Sequence, residues 1–128
     1  MRLLCDTHLL IWLAENDRRL TAEARGLLDQ TGTERAFSVA SLWEIAIKFS
    51  LERPDFPIAP QVMRQGLIAS GFVELAIDAQ HAFAVVDLPR LHRDPFDRLL
   101  IAQARVEGLT LLTADAAVAA YGGEIRLI

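Results

Sequence analysis

The sequence predicts an α/β protein built on a parallel sheet covered on both faces. Three observations carry this. Strand-like runs alternate along the chain with helix-like stretches. The runs are almost wholly apolar, as in strands buried on both sides, where half-exposed strands would alternate with polar residues. The 128 residues, 52% of them hydrophobic, fit one domain with a sizeable core.

Leu3-Leu4-Cys5 reads as the first buried strand, ending at Asp6. His8 to Ala14, with Leu9, Leu10, Trp12 and Leu13, reads as a short helix. Thr21 is placed as the N-cap of a second helix through Leu28, with Glu23 in its first turn. Ala36 to Val39 is the second strand. Ser41-Leu42-Trp43-Glu44 has the form of a capping box, predicting a helix that opens there and runs to about Phe49. Three prolines between Arg53 and Pro60 impose a loop, and a helix follows from about Gln61 to Ala69. Phe72 to Ile77 alternates like a strand, after which Asp78 is placed to cap a helix covering His81 to Val86.

Asp94-Pro95 is a cap followed by proline at the first helical position, a strong start signal. The helix it opens carries Phe96, Leu99, Leu100 and Ala104 on one face and ends at Gly108. Leu109 to Thr113 is the fourth strand, Asp115 to Ala120 a short helix, and Ile125 to Ile128 the last strand.

The 17 acidic against 13 basic residues give a net charge of −4. That excludes a protein that coats nucleic acid through a basic face, so any RNA contact must be local and bridged by cations. Mean hydropathy of +0.26 excludes disorder. Cys5 is the only cysteine; it rules out an internal disulfide and reads as a buried, inert thiol. The apolar run before Asp6 is too short for a secretory signal, and nothing approaches a membrane span, so a cytoplasmic protein is expected. His8, His81 and His92 lack the spacing of a zinc site.

In parallel sheets, ligands bind beyond the carboxyl ends of the strands. Asp6, Glu44 and Asp115 fall there, following the first, second and fourth strands. Asp97 joins them if its helix starts at that edge, as a right-handed crossover requires. Carboxylates so gathered repel unless a cation sits among them, and hard divalent ions with oxygen ligands are the natural occupants. Taken singly, each acid also has a structural reading. Glu44 completes a capping box, Asp97 favours the helix dipole and Asp115 caps the last helix. Asp94 is ideally placed as an N-cap, though it too can face the ions. Thr7, Ser38, Ser41 and Thr113 can support the acids or merely cap. Arg90, His92, Arg93 and Arg98 can hold phosphates or form a solvated face, and Lys48 is placed as the i+4 partner of Glu44. Trp12, Trp43 and Phe49 can stack on bases, but their apolar neighbours favour core or a subunit interface.

Four segments in order, RLLCDTHLLIWLA (Arg2 to Ala14), SLWEIAIK (Ser41 to Lys48), HRDPFDRLLIAQA (His92 to Ala104) and LLTAD (Leu111 to Asp115), resemble the PIN-domain family. They resemble most the VapC-like toxins of bacterial toxin–antitoxin pairs, with the segment around Asp97 the most specific. The resemblance implies a three-layer α/β/α sandwich and an Mg²⁺- or Mn²⁺-dependent ribonuclease that cuts single-stranded RNA. Asp6, Glu44, Asp97 and Asp115 would be its metal-binding, catalytic acids; Arg93 and Arg98, from the basic cluster beside them, are the candidate RNA contacts. It further implies a cognate antitoxin partner and a homodimer. Three other readings compete. A haloacid-dehalogenase-type phosphatase wants a second Asp where His8 stands. A receiver-type phospho-acceptor module wants paired acids after the first strand and an Asp after the third, for which Asp78 is a poor substitute. A catalytically silent PIN domain acting as a binding module would typically lack one or more of the four acids.

Overall fold

The computed structural model describes residues 1–128. Its strands are β1 (Arg2–Cys5), β2 (Glu34–Ser38), β3 (Val73–Leu75), β4 (Thr110–Thr113) and β5 (Ile125–Leu127). They pair in the order β3-β2-β1-β4-β5, all parallel, with Leu4 in register with Ala36 on one side and Leu111 on the other. The helices are α1 (Thr7–Glu15), α2 (Ala22–Asp29), α3 (Val39–Ser50), α4 (Pro60–Ala69), α5 (Ala79–Ala84), α6 (Pro95–Glu107) and α7 (Ala116–Ala119). A single 3₁₀ turn, Val85–Asp87, extends α5. No helix is long and apolar enough to cross a membrane.

The near-continuous apolar strands do what they predict. Leu3 and Cys5 enter one core with Leu9, Phe37 and Leu112, while Leu4 enters a second with Ala36, Ile101 and Leu111. Successive side chains of a strand point to opposite faces, so β1, β2 and β4 each feed both layers. The edge strands β3 and β5, which the sequence also reads as apolar, carry Glu74 and Arg126 and stay largely exposed. Burial pushes the Cys5 thiol up to about 12, which leaves it protonated and unreactive.

The strand order reverses between β1 and β4. Chain growth runs outward from β1 to β3, then returns to β4 on the other side of β1. Such a reversal opens a crevice at the carboxyl ends of the two central strands, because the connections leave in opposite directions.

Most helix boundaries follow their caps. Thr21 accepts from the Ala24 amide, and Asp94 accepts from the amides of Phe96 and Asp97. Gly108 closes α6 in the left-handed region at φ 67°, which favours glycine. The capping box at Ser41 is not what the structure holds. Ser38 caps α3 through Ala40 N, so the helix begins three residues earlier, and Ser41 sits buried inside it, accepting from Thr7 Oγ1 at 2.9 Å. Ser38 and Ser41 stand one turn apart, and only the end of β2 decides between them. Trp43, whose apolar neighbours predict core or a subunit interface, is not in the core: it is 58% exposed and meets Phe96 edge-on at 5.5 Å.

Arg98 serves the scaffold. Its guanidinium donates to the carbonyls of Pro89 and Val85 and to the Tyr121 hydroxyl, tying the 3₁₀ turn and the following loop to α6. Arg98→Ala would leave these acceptors without their charged donor. It is expected to cost about 2 kcal/mol in denaturant-induced unfolding, and an unchanged midpoint would show the contacts to be idle.

Candidate metal centre

A cleft of about 480 Å³ opens at the switch point, lined by Asp6, Glu44, Asp94, Asp97 and Asp115. Asp6 arrives at the end of β1 and Asp115 just past β4, while α3 carries Glu44 and the first turn of α6 carries Asp97. The four sequence-predicted acids therefore line one cleft with Asp94, which also caps α6; the tightest group there is His92, Asp94 and Asp97, whose ligand atoms lie within 4.8 Å of one another.

Each acid is held. Asp6, 7% exposed, accepts from Leu9 N through Oδ1 and from the Thr113 hydroxyl through Oδ2. Thr113 Oγ1 in turn accepts from Asp115 N at 3.0 Å, so one hydroxyl links the ends of β1 and β4. Asp115 Oδ1 caps α7 through Ala117 N. Lys48 Nζ sits 2.6 Å from Glu44 Oε2, the i+4 pair read from the sequence. Asp97 Oδ2 lies 2.8 Å from His92 Nε2, and the Tyr121 hydroxyl fixes the His92 backbone.

Glu44 Oε1 is the informative atom. It is buried, on a residue 3% exposed, and no hydrogen-bond donor reaches it. A buried carboxylate oxygen without a donor is costly in a finished protein core. A cation bound among these oxygens would satisfy it. The donor set, carboxylate oxygens with the imidazoles of His92 and His8 at the cleft wall, suits a hard divalent ion.

The electrostatics agree. Burial, reinforced by Asp94, Glu44 and Asp6 and opposed by the His92 contact, pushes the Asp97 carboxyl up to about 6. Burial likewise raises Asp6. Both groups therefore hold a proton more readily folded than unfolded. Their contribution to stability is present below the unfolded carboxyl range and is lost as pH rises through about 6 for Asp97. In chelator, the melting temperature is expected to fall across that window, and less steeply for Asp97→Asn. Parallel pH profiles for the two proteins would contradict the assignment.

Two predicted RNA contacts lie elsewhere. Neither Arg93 nor Arg98 lines the cleft; Arg93 is exposed and unpaired, and Arg98 is committed to the scaffold. Conversely His8, Trp12 and Arg19 do line it. His8 and Trp12 are spaced i, i+4 on the helix that Asp6 opens, a signal legible in the sequence; Arg19, in a turn, gave none. Asp78 caps α5, is no part of the cleft, and so supplies no phospho-acceptor there. The strand order also differs from the 2-1-3-4-5 of flavodoxin-like folds, to which receivers belong.

Sheet order, crevice and acids together define the class: the chain belongs to the PIN-domain family, whose pattern matches residues 3–124. Chains in solved toxin–antitoxin complexes share the fold. VapBC2 from Rickettsia felis, bound to a DNA fragment from their promoter, matches with a TM-score of 0.70 and 16% identity. The match covers 100% of this chain and 98% of that one. A toxin–antitoxin complex from Klebsiella pneumoniae matches with a TM-score of 0.67 and 23% identity over 97% and 95% of the two chains. VapBC-1 from nontypeable Haemophilus influenzae gives 0.65 and 17% over 100% and 97%. No curated protein matches the sequence.

Proposed function

We propose that this protein is an Mg²⁺- or Mn²⁺-dependent endoribonuclease and the toxin of a toxin–antitoxin pair. The observation that carries the nuclease reading is the donorless Glu44 Oε1 among carboxylates at the switch-point crevice of a PIN fold. The toxin reading, with a cognate antitoxin as partner, is supported by the structural kinship to toxin–antitoxin chains. The exposed stripe of Trp43 and Ile47 on α3 and Leu51 at its C-terminal cap favours pairing with a second copy.

Asp6, Glu44, Asp97 and Asp115 would hold the metal, with the uncapped oxygen of Asp94 beside them. A divalent ion held by these residues would supply a bound water of lowered pKa as the nucleophile and offset charge on the phosphate. The chain's own contribution is to orient the ligands. Thr113 turns Asp6, Lys48 holds Glu44 Oε2 and leaves Oε1 without a donor, and His92 holds one oxygen of Asp97. No side chain is equipped as a nucleophile: the Thr7 and Ser41 hydroxyls bond one another, and Cys5 stays protonated. Hydrolysis by water without a covalent intermediate follows.

The test is cleavage of a single-stranded RNA by purified protein across a titration of Mg²⁺ and of Mn²⁺. Cleavage should track metal, stop with chelator and spare duplex RNA. RNA left intact at millimolar levels of both metals would refute the nuclease.

A further inference from the structure

A cleft lined by five carboxylates, in a protein of net charge −4, repels a polyanion wherever metal does not screen it. Arg19 is the only lysine or arginine that lines this cleft. Its guanidinium carbon stands 5.0 Å from the centroid of the Trp12 ring. Asp17 fixes that position: its two oxygens take Nε at 3.2 Å and Nη2 at 2.8 Å. Asp17 is itself anchored by a backbone bond to the Trp12 carbonyl. Nη1 has no protein acceptor, and the Arg19 side chain is 62% exposed. Trp12 packs against the core on one side and leans towards His8, 6.2 Å away, which rests edge-on against Phe56. The same helix that begins at Asp6 carries His8 and Trp12, so this stack is held at a fixed distance from the acids.

We propose that the Arg19–Trp12 stack is the landing platform for the nucleotide next to the scissile phosphate. An unpaired base lies on the guanidinium plane, and its phosphate takes Nη1. Guanidinium planes stack on bases as aromatic rings do, and any base presents a π-face, so the platform selects unpaired RNA over duplex without reading sequence. The platform rests on the nuclease reading above. The competing role, Arg19 as a cover keeping water off Trp12, would act on stability alone.

The experiment measures KM and kcat for a single-stranded oligoribonucleotide in Mn²⁺, beside the Mn²⁺-induced rise in melting temperature. Arg19→Ala and Trp12→Ala are each expected to raise KM by roughly 5- to 100-fold, the range seen for one stacked base. The metal-induced rise should stay intact, because neither residue holds metal. Arg19→Ala should also flatten the dependence of log KM on log salt by about 0.7, one phosphate on a single strand. An abasic site beside the cleaved bond should hurt the wild type and leave both variants indifferent. Should Trp12→Ala not fold, Trp12→Phe should keep KM near wild type, and the exposed Arg19 carries the comparison. KM within about twofold of wild type for Arg19→Ala, with or without a loss of stability, overturns the platform and leaves the nuclease standing. A wild type that cleaves no RNA overturns both.

Discussion

Asp97→Asn is expected to fold like the wild type and to cleave RNA at least about 100-fold more slowly, since even residues that merely support a metal ligand cost 10- to 100-fold when removed. The substitution keeps the shape and the contact to His92 but halves the oxygens and removes the charge. Asp97 is the right probe because its geometry is over-determined: its amide is capped by Asp94 and one carboxylate oxygen is engaged by His92. Little of the fold leans on the remaining oxygen. Wild-type cleavage by a contaminant-free Asp97→Asn protein would rule the acid out of the machinery. Asp94→Asn should be milder, because asparagine caps as well as aspartate.

The second large effect concerns stability. Five carboxylates crowd one cleft in the fold and lie far apart in the unfolded chain, so a divalent ion should bind the folded state selectively. At free metal about 100 times its dissociation constant the gain is about 2.7 kcal/mol. For a domain of this size that raises the melting temperature by roughly 5–20 °C. Asp6→Asn should blunt the rise with Mn²⁺. In chelator it should melt no lower than wild type, because removing a buried charge relieves repulsion from Glu44, among the influences that raise the Asp6 carboxyl. Melting indifferent to millimolar Mg²⁺ and Mn²⁺ would mean that the acids form no working site.

The sheet was legible in the sequence because strands buried on both faces leave continuous apolar runs, and Leu3-Leu4-Cys5 and Leu109 to Thr113 have few other readings. The convergence of Asp6, Asp97 and Asp115 was legible because each stands at an element boundary, where topology fixes position before any side-chain detail. Glu44 reaches the cleft from the second turn of α3, one turn deeper than its capping-box reading placed it. Less local features were not. The start of α3 depended on whether Ser38 or Ser41 capped it, and both are serines at cap-like spacing. Arg98 read as a free cation because its acceptors, Val85, Pro89 and Tyr121, are distant in sequence and are carbonyls or a phenol, which no charge pattern reveals. The cleft's own cation, Arg19, sits in a turn whose position only the packed structure defines.

The open sheet has a further consequence, for self-association. Its outer strands, β3 and β5, each present a row of unpaired backbone groups, the usual template for intermolecular strand addition and fibril growth. Both are three residues long, and each carries a charge at its centre: Glu74, paired with Arg64 at 2.6 Å, and Arg126, which reaches Glu23. Adding a strand to either edge would gain few hydrogen bonds and would crowd a charged side chain. The aggregation-prone apolar segments, β1 and β4, lie at the centre of the sheet where no other chain can reach them. Short edges also fray, so amide exchange should be fastest at Val73–Leu75 and Ile125–Leu127 and slowest in β1, next to the acids.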